Sequence, residues 1–114
     1  MYPNKLLAKP LTVNEQEFLI SAFKDRLLSY PGLAHLYLIG SAQRMEMTDA
    51  SDLDFVAVFS SIEDMVKAKE QFYGTPRPVE WPCDILWYLE PDFKRRAAIG
   101  GVCMIALQDG LKLF

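Results

Sequence analysis

Two aspartates, Asp52 and Asp54, stand at the start of an apolar run over residues 55–59. Because side chains alternate along a strand, two carboxylates one residue apart point to the same face. Gly40 and Ser41 end the preceding apolar run. A glycine, a hydroxyl and two carboxylates in this arrangement can hold a divalent cation and a phosphate side by side.

A third acid, Asp84, stands near the start of a later apolar run over residues 83–89. Beside Asp52 and Asp54 it would concentrate three negative charges, and buried carboxylates are costly unless they are paired or metal-bound. Mg²⁺ suits such a site because it commonly takes one or two carboxylates plus substrate phosphates. Two such ions serve in-line phosphoryl or nucleotidyl displacement. The alternative is that all three are loop, cap or solvated strand-end residues.

The Gly-Ser turn could contact a phosphate. Gly40 lets the backbone approach a ligand closely. A helix that begins at Ser41 would point free N–H groups at an anion. Ser41 adds a hydroxyl and Arg44 adds a cation one turn later. By itself, a Gly-Ser pair at a strand end is usually only a turn.

Hydrophobic periodicity and turn residues indicate which elements position these side chains. Helices are predicted over about 14–29, 41–47, 61–74, 91–98 and 102–108. Strands are predicted over about 34–39, 53–59, 83–89 and 111–114. This alternation predicts a sheet with helices packed on it, and it leaves open whether the strands are parallel or mixed. A β-hairpin across Asp109 and Gly110 is the alternative at the C-terminal end.

Length and composition bound the class of protein. The 114 residues predict one domain, 1–114, which can bury a stable core without disulfides or a structural metal. The hydrophobic share of 51% leaves a surplus that would suit a partner surface. The net charge of −3 disfavours a nucleic-acid partner. We expect no signal peptide and no membrane segment, and therefore a cytoplasmic protein.

The remaining reactive residue types have structural interpretations. Cys83 and Cys103 lie in apolar surroundings, so we expect buried free thiols in a reducing compartment. His35 is the one histidine and lies near the start of a predicted strand. It is predicted to be a structural edge residue, and a ligand or a base is the alternative.

The spacing from the Gly-Ser turn to the aspartate pair resembles the signature of the nucleotidyltransferase superfamily related to DNA polymerase beta. It is most similar to the minimal nucleotidyltransferase (MNT) branch, which reads Gly-Ser-x-x-Arg-Gly, then Ser-Asp-Ile-Asp and an apolar strand, then a third Asp. The matching residues are Gly40, Ser41, Arg44, Ser51, Asp52, Leu53, Asp54 and Asp84. Met45 departs from the signature, because the family often has glycine there.

The resemblance implies a polymerase-beta-like nucleotidyltransferase fold, which is an α/β (α+β) fold with a mixed sheet and flanking helices. It implies that Asp52 and Asp54 bind Mg²⁺, with two ions expected. Asp84 would help to hold the second ion and would activate the acceptor hydroxyl.

The resemblance also implies a nucleotide donor, with ATP expected. Gly40 and Ser41 would hold its triphosphate, with the help of Arg44. All three acids of the signature are intact in this sequence, so we expect nucleotidyl transfer to be retained.

A partner protein follows from the same resemblance. MNT proteins often pair with a small helical HEPN protein in toxin–antitoxin modules, where the MNT member resembles an antitoxin that transfers AMP to a toxin tyrosine. The chain is too short for a separate acceptor-binding domain of the kind found in other relatives. Candidate partner-contacting residues, each with core packing or a solvated helix face as the alternative, are Tyr73, Trp81, Trp87, Tyr88 and 94–96. Two other functions stay open, namely neutralisation of a partner by contact alone and nucleotidylation of a small molecule.

Overall fold

A computed structural model describes residues 8–114 of the chain. The residues before them, in which we expect no signal peptide, lie outside the described part. The α-helices are α1 (Val13–Leu28), α2 (Ile62–Gly74), α3 (Glu90–Ile99) and α4 (Val102–Asp109). The strands are β1 (Leu33–Ile39), β2 (Leu53–Phe59), β3 (Cys83–Leu89) and β4 (Leu111–Lys112). Within residues 8–114, every helix falls short of the length or the hydropathy that crossing a bilayer requires.

The four strands form one mixed sheet in the order β3-β2-β1-β4. Strand β1 pairs with both β2 and β4 in antiparallel orientation. Strand β2 pairs with β3 in parallel orientation. The mixed sheet with flanking helices that the family resemblance implies is therefore confirmed.

Strand β2 is buried on both faces, because helices cover both sides of the sheet. Phe55, Ala57 and Phe59 pack into a cluster with side chains of α1 and α2. Val56 and Val58 point to the other face and pack with side chains of α3 and α4. This double burial explains why β2 is an unbroken apolar run rather than an alternating one.

Helix α1 begins with a capping box. The Thr12 hydroxyl accepts a hydrogen bond from the Glu15 N–H at 3.1 Å, and the Glu15 carboxylate accepts one from the Thr12 N–H at 3.0 Å. These bonds satisfy two N–H groups that helix starts otherwise leave unpaired. Leu19, Phe23 and Leu27 then place an apolar stripe against the sheet.

The predicted helix over residues 41–47 is wrong. The structure has only a short 3₁₀ helix, Gly40–Ala42, followed by turns. Met47 is 1% exposed, and its N–H donates to Oε1 of Gln16 at 3.2 Å. The chain must deliver Met47 to the core, so it leaves helical geometry at Met45, which has a left-handed φ of 55°.

The C-terminal end is a helix followed by a strand, so the alternative of a hairpin across Asp109 and Gly110 is wrong. Asp109 is the last residue of α4, and the N–H of Gly110 donates to the carbonyl of Ala106 at 3.1 Å. Strand β4 is shorter than the predicted 111–114, although the N–H of Leu113 still donates to a β1 carbonyl.

Candidate active site

The predicted acids lie at one end of the sheet. There the C-terminal end of β1 lies beside the first residues of β2 and β3. Asp54 lies opposite Ile39, the last residue of β1, in the antiparallel register. On its other side, Asp54 lies opposite Asp84 in the parallel register of β2 and β3. Residues directly opposite each other in a sheet share a face, so Asp54 and Asp84 point to the same side.

A cavity of about 390 Å³ opens beside the start of β2. Its lining is Ser41, Thr48, Ala50, Ser51, Asp52 and Asp54. Three hydroxyls and two carboxylates thus converge on one space. Oxygen-rich linings of this kind suit hard cations such as Mg²⁺. The structure brings Ser41, Asp52 and Asp54 together as the sequence predicts.

The turn at Gly40 is fitted to the Asp54 carboxylate. Gly40 has a left-handed φ of 77°, which side-chain-bearing residues rarely adopt. A Cβ on Gly40 would lie 3.0 Å from Oδ2 of Asp54. Glycine is therefore required here both for the backbone conformation and for the space that the carboxylate occupies.

Negative charge is concentrated at this end of the sheet. Burial raises the pKa of Asp54, and the nearby carboxylates of Asp84 and Asp52 raise it further. Burial also raises the pKa of Cys83 to about 12, with the same three aspartates adding to the rise and Arg77 opposing it. A cation in the cavity would relieve this repulsion.

The donor set fits Mg²⁺ in one specific way. Within residues 8–114, no three side chains of His, Cys, Asp or Glu lie close enough to ligate one ion. Asp52 and Asp54 can instead supply two carboxylates, and Mg²⁺ commonly completes its shell with waters and substrate phosphates. Asp84 stands outside the cavity lining, so its place as a ligand of a second ion stays a prediction.

Arg44 does not line the cavity at Asp52 and Asp54, which we call the acidic cavity. Its side chain is exposed, and its Nε lies 2.9 Å from Oε2 of Glu46. With Gly40 it lines a separate cavity of about 140 Å³. The predicted contact between Arg44 and a triphosphate therefore needs the guanidinium to exchange Glu46 for the phosphate, and it stays a prediction.

The sequence analysis gave no site role to Thr48 and Ala50, which line the cavity at Asp52 and Asp54 together with Ser51. The N–H of Thr48 donates to Oγ of Ser51 at 2.8 Å, and the N–H of Ala50 donates to Oγ1 of Thr48 at 3.2 Å. These bonds fix the loop directly before Asp52. The sequence signal was available, because Ser and Thr hydroxyls near backbone N–H groups are typical of such turns.

Gln16 was also missed. It is 2% exposed, and its side chain bonds to the carbonyl of Leu11 at 3.1 Å and to the N–H of Met47 at 3.2 Å. It therefore ties α1 to the segment that carries Thr48. A polar residue three positions before Leu19, on the apolar stripe of α1, is the signal that could have revealed it.

The other residues singled out from the sequence lie elsewhere. His35 is four positions before Ile39 in β1, with its Nε2 3.6 Å from Oε2 of Glu90. Cys103 is a buried free thiol as predicted, and Cys83 is a free thiol that is only partly buried. Among the candidate partner-contacting aromatic residues, three pack against the core, namely Trp81, Trp87 and Tyr88. Tyr73 is 63% exposed.

No protein-family model and no curated protein matches this chain. A crystal structure of a candidate nucleotidyltransferase from Sulfolobus solfataricus does match, with a TM-score of 0.56 over 90% of this chain and 85% of that chain. The chain shares its fold with that structure. Sequence identity to that structure is 21%, so the likeness establishes the fold alone. The predicted α/β (α+β) fold with a mixed sheet is confirmed.

Proposed function

We propose that this protein is a metal-dependent nucleotidyltransferase that transfers AMP from ATP to a hydroxyl acceptor. The observation that carries the proposal is the cavity in which Asp52, Asp54 and Ser41 converge at the end of the sheet. The fold that the chain shares with a candidate nucleotidyltransferase supports the same activity.

The aspartates and the residues of the Gly40 turn have distinct tasks in this proposal. Asp52 and Asp54 would hold Mg²⁺, which supplies charge neutralisation of the triphosphate and of the leaving pyrophosphate. Gly40 leaves room for Asp54 and brings its own backbone close to the nucleotide. Ser41 would donate its hydroxyl to a phosphate oxygen, and Arg44 would supply a cation once its guanidinium exchanges Glu46 for a phosphate.

The transfer is an in-line displacement at the α-phosphorus. The acceptor oxygen forms a bond to the α-phosphorus while the bond from that phosphorus to the bridging oxygen of the β-phosphate breaks. Pyrophosphate leaves with that oxygen. Asp84, which is exposed on the edge strand β3 opposite Asp54, accepts the proton that the acceptor hydroxyl loses.

For the acceptor we propose a tyrosine of an HEPN-type partner protein, so that the chain acts as an antitoxin. The resemblance to the MNT branch motivates this partner. An aromatic surface near β3 supports a protein contact, because Tyr73 is 63% exposed and accepts a hydrogen bond from Trp87 Nε1 at 3.2 Å. Tyrosine and tryptophan are enriched at protein interfaces.

The transfer can be tested by intact mass. We would incubate the protein with ATP, Mg²⁺ and an HEPN-type candidate partner, and then weigh the partner. The expected result is the mass of one or more AMP groups on the partner, lost with Asp52→Ala plus Asp54→Ala. Asp25→Ala, on the exposed surface of α1, is the matched control and should retain transfer. No mass increase with wild-type protein in Mg²⁺ or Mn²⁺ would overturn transfer to this partner.

Neutralisation by contact is the second candidate function. It is favoured by the exposure of Ile105 and Leu107 on the apolar helix α4, at 47% and 56%. If Asp52→Ala plus Asp54→Ala still neutralises the partner fully, contact is sufficient. A screen of small hydroxyl compounds for pyrophosphate release tests the remaining acceptor class.

A further inference from the structure

A second cavity, of about 400 Å³, lies on the face of the sheet that α3 and α4 cover. It opens between β1, α3, α4 and β4 and shares no lining residue with the cavity at Asp52 and Asp54. Its volume is within the range of small-molecule sites, which are mostly apolar with a few polar groups. Nothing in the proposed nucleotidyl transfer uses it.

The interior of this cavity is aromatic. The rings of Tyr37 and Phe93 stack with centroids 5.4 Å apart and planes 17° apart. Both residues are almost fully buried, and the half-exposed Leu107 forms part of the wall. An aromatic floor beside an open apolar wall can pack against a small aromatic group.

The rim of this cavity carries more positive than negative charge. Lys94 and Lys112 both line it, and Glu90 is the one carboxylate among its lining residues. Glu90 is already shared, because its oxygens lie 3.9 Å from Nζ of Lys94 and 3.6 Å from Nε2 of His35. Among residues 8–114, Lys112 has no ion-pair partner. Even with a neutral His35, two ammonium groups face one carboxylate.

The His35 ring also lines this cavity. Its Nδ1 is buried and has no hydrogen-bond partner among the described residues. Buried polar atoms are normally paired with protein groups or with ordered water. The lining of this cavity thus combines an aromatic floor with an excess of positive charge.

We propose that this cavity is a binding site for a small organic anion, namely a flat aromatic body that bears one carboxylate. The aromatic body would lie against Tyr37 and Phe93, and the carboxylate would lie between Lys94 and Lys112. The proposal does not depend on the nucleotidyltransferase activity.

Nuclear magnetic resonance provides a direct test, because His35 is the single histidine of the chain and its ring signals are unique. We would titrate the 114-residue protein with 2-naphthoate and, separately, with the neutral 2-naphthalenemethanol. We expect saturable shifts of the His35 ring signals with naphthoate and markedly weaker binding of the alcohol. No saturable shift with naphthoate, or equal affinity for both probes, would overturn the proposal.

Two sets of variants locate the probe. Lys94→Met plus Lys112→Met should weaken naphthoate binding by about tenfold, because a charge-assisted contact is lost. Lys67→Met plus Lys69→Met, on the exposed side of α2, is the matched control and should leave it unchanged. Ala98→Phe, at an exposed position of the lining, should fill the cavity and abolish binding. Naphthoate affinity that survives either cavity variant unchanged contradicts the site.

Discussion

The carboxylate of Asp54 rests against the backbone of Gly40, so closely that a Cβ on Gly40 would lie 3.0 Å from Oδ2 of Asp54. Gly40 holds a left-handed φ of 77° at the end of β1. The two residues are also neighbours through the sheet, because Ile39 and Asp54 are register partners. The glycine thus sets the position of the acid that the proposed cation site depends on.

Replacement of this glycine should harm both stability and ligand binding. For Gly40→Ala we expect a loss of about 1–2 kcal/mol in the free energy of unfolding, since a left-handed conformation costs an L-residue about that much. The added Cβ should also displace Asp54 and weaken Mg²⁺-dependent nucleotide binding. Urea denaturation and calorimetry measure the two effects. Gly74→Ala is the control, because a Cβ there meets nothing within 4 Å. Equal behaviour of the two variants would count against this account.

Asp54 should make the protein less stable at neutral pH than a neutral isostere would. Burial first, and then Asp84 and Asp52, raise the pKa of Asp54, so the folded state binds this proton more tightly than the unfolded state does. Stability therefore falls as pH rises from the ordinary aspartate pKa of about 3.9 through the raised value, and it stays lower above that.

We accordingly expect Asp54→Asn to have a higher Tm than wild type at pH 7 in the absence of divalent cations. The difference should shrink toward zero below about pH 3.9, where both side chains are neutral. Asp25→Asn, at an exposed position of α1, should show no such pattern. A lower Tm for Asp54→Asn at pH 7 contradicts the predicted sign.

Met45 should be a strained position that glycine relieves. It has a φ of 55°, a conformation that β-branched residues almost never adopt. We expect Met45→Ile to lower the free energy of unfolding by about 1 kcal/mol or more. Met45→Gly should be neutral or mildly stabilising, because relief of strain offsets about 0.5–1 kcal/mol of added unfolded-state entropy. Urea denaturation ranks the three proteins, and an Ile variant as stable as wild type would show that the strain is absent.

Gln16 should be a structural link between α1 and the loop before Asp52. Gln16→Met keeps the side-chain volume but leaves the Met47 N–H and the Leu11 carbonyl without their side-chain partner. The expected loss is about 1–3 kcal/mol of unfolding free energy. Gln71→Met, on the exposed surface of α2, is the control and should change little. Equal unfolding free energies of the two variants would show that the buried bonds contribute nothing.

The strands were predictable because their patterns are local. The runs 53–59 and 83–89 are strands with those same bounds in the structure. Each is a short apolar run flanked by turn residues, which is typical of a covered strand. The pairing of Asp54 with Asp84 could be predicted only through the family resemblance. Their parallel register depends on both strands, and neither segment alone specifies it.

The segment after Ser41 could not be predicted from local pattern because distant contacts override it. Residues 41–47 have a sequence that is compatible with a helix. The burial of Met47 and the hydrogen bond from its N–H to Gln16 require a non-helical backbone there. Those two residues are 31 positions apart. The left-handed φ of Met45 could not be predicted either, because non-glycine residues rarely adopt that conformation.

The central claim is that Asp52 and Asp54 hold a divalent cation on which nucleotide binding depends, and calorimetric titration with ATP tests it most directly. We would titrate wild type, Asp52→Asn plus Asp54→Asn, and the Asp25→Asn control, each with Mg²⁺ and with chelator. We expect saturable ATP binding by wild type and control in Mg²⁺, and none by the double variant or by any protein in chelator. ATP binding that is independent of Mg²⁺, or that survives the double variant, would contradict it.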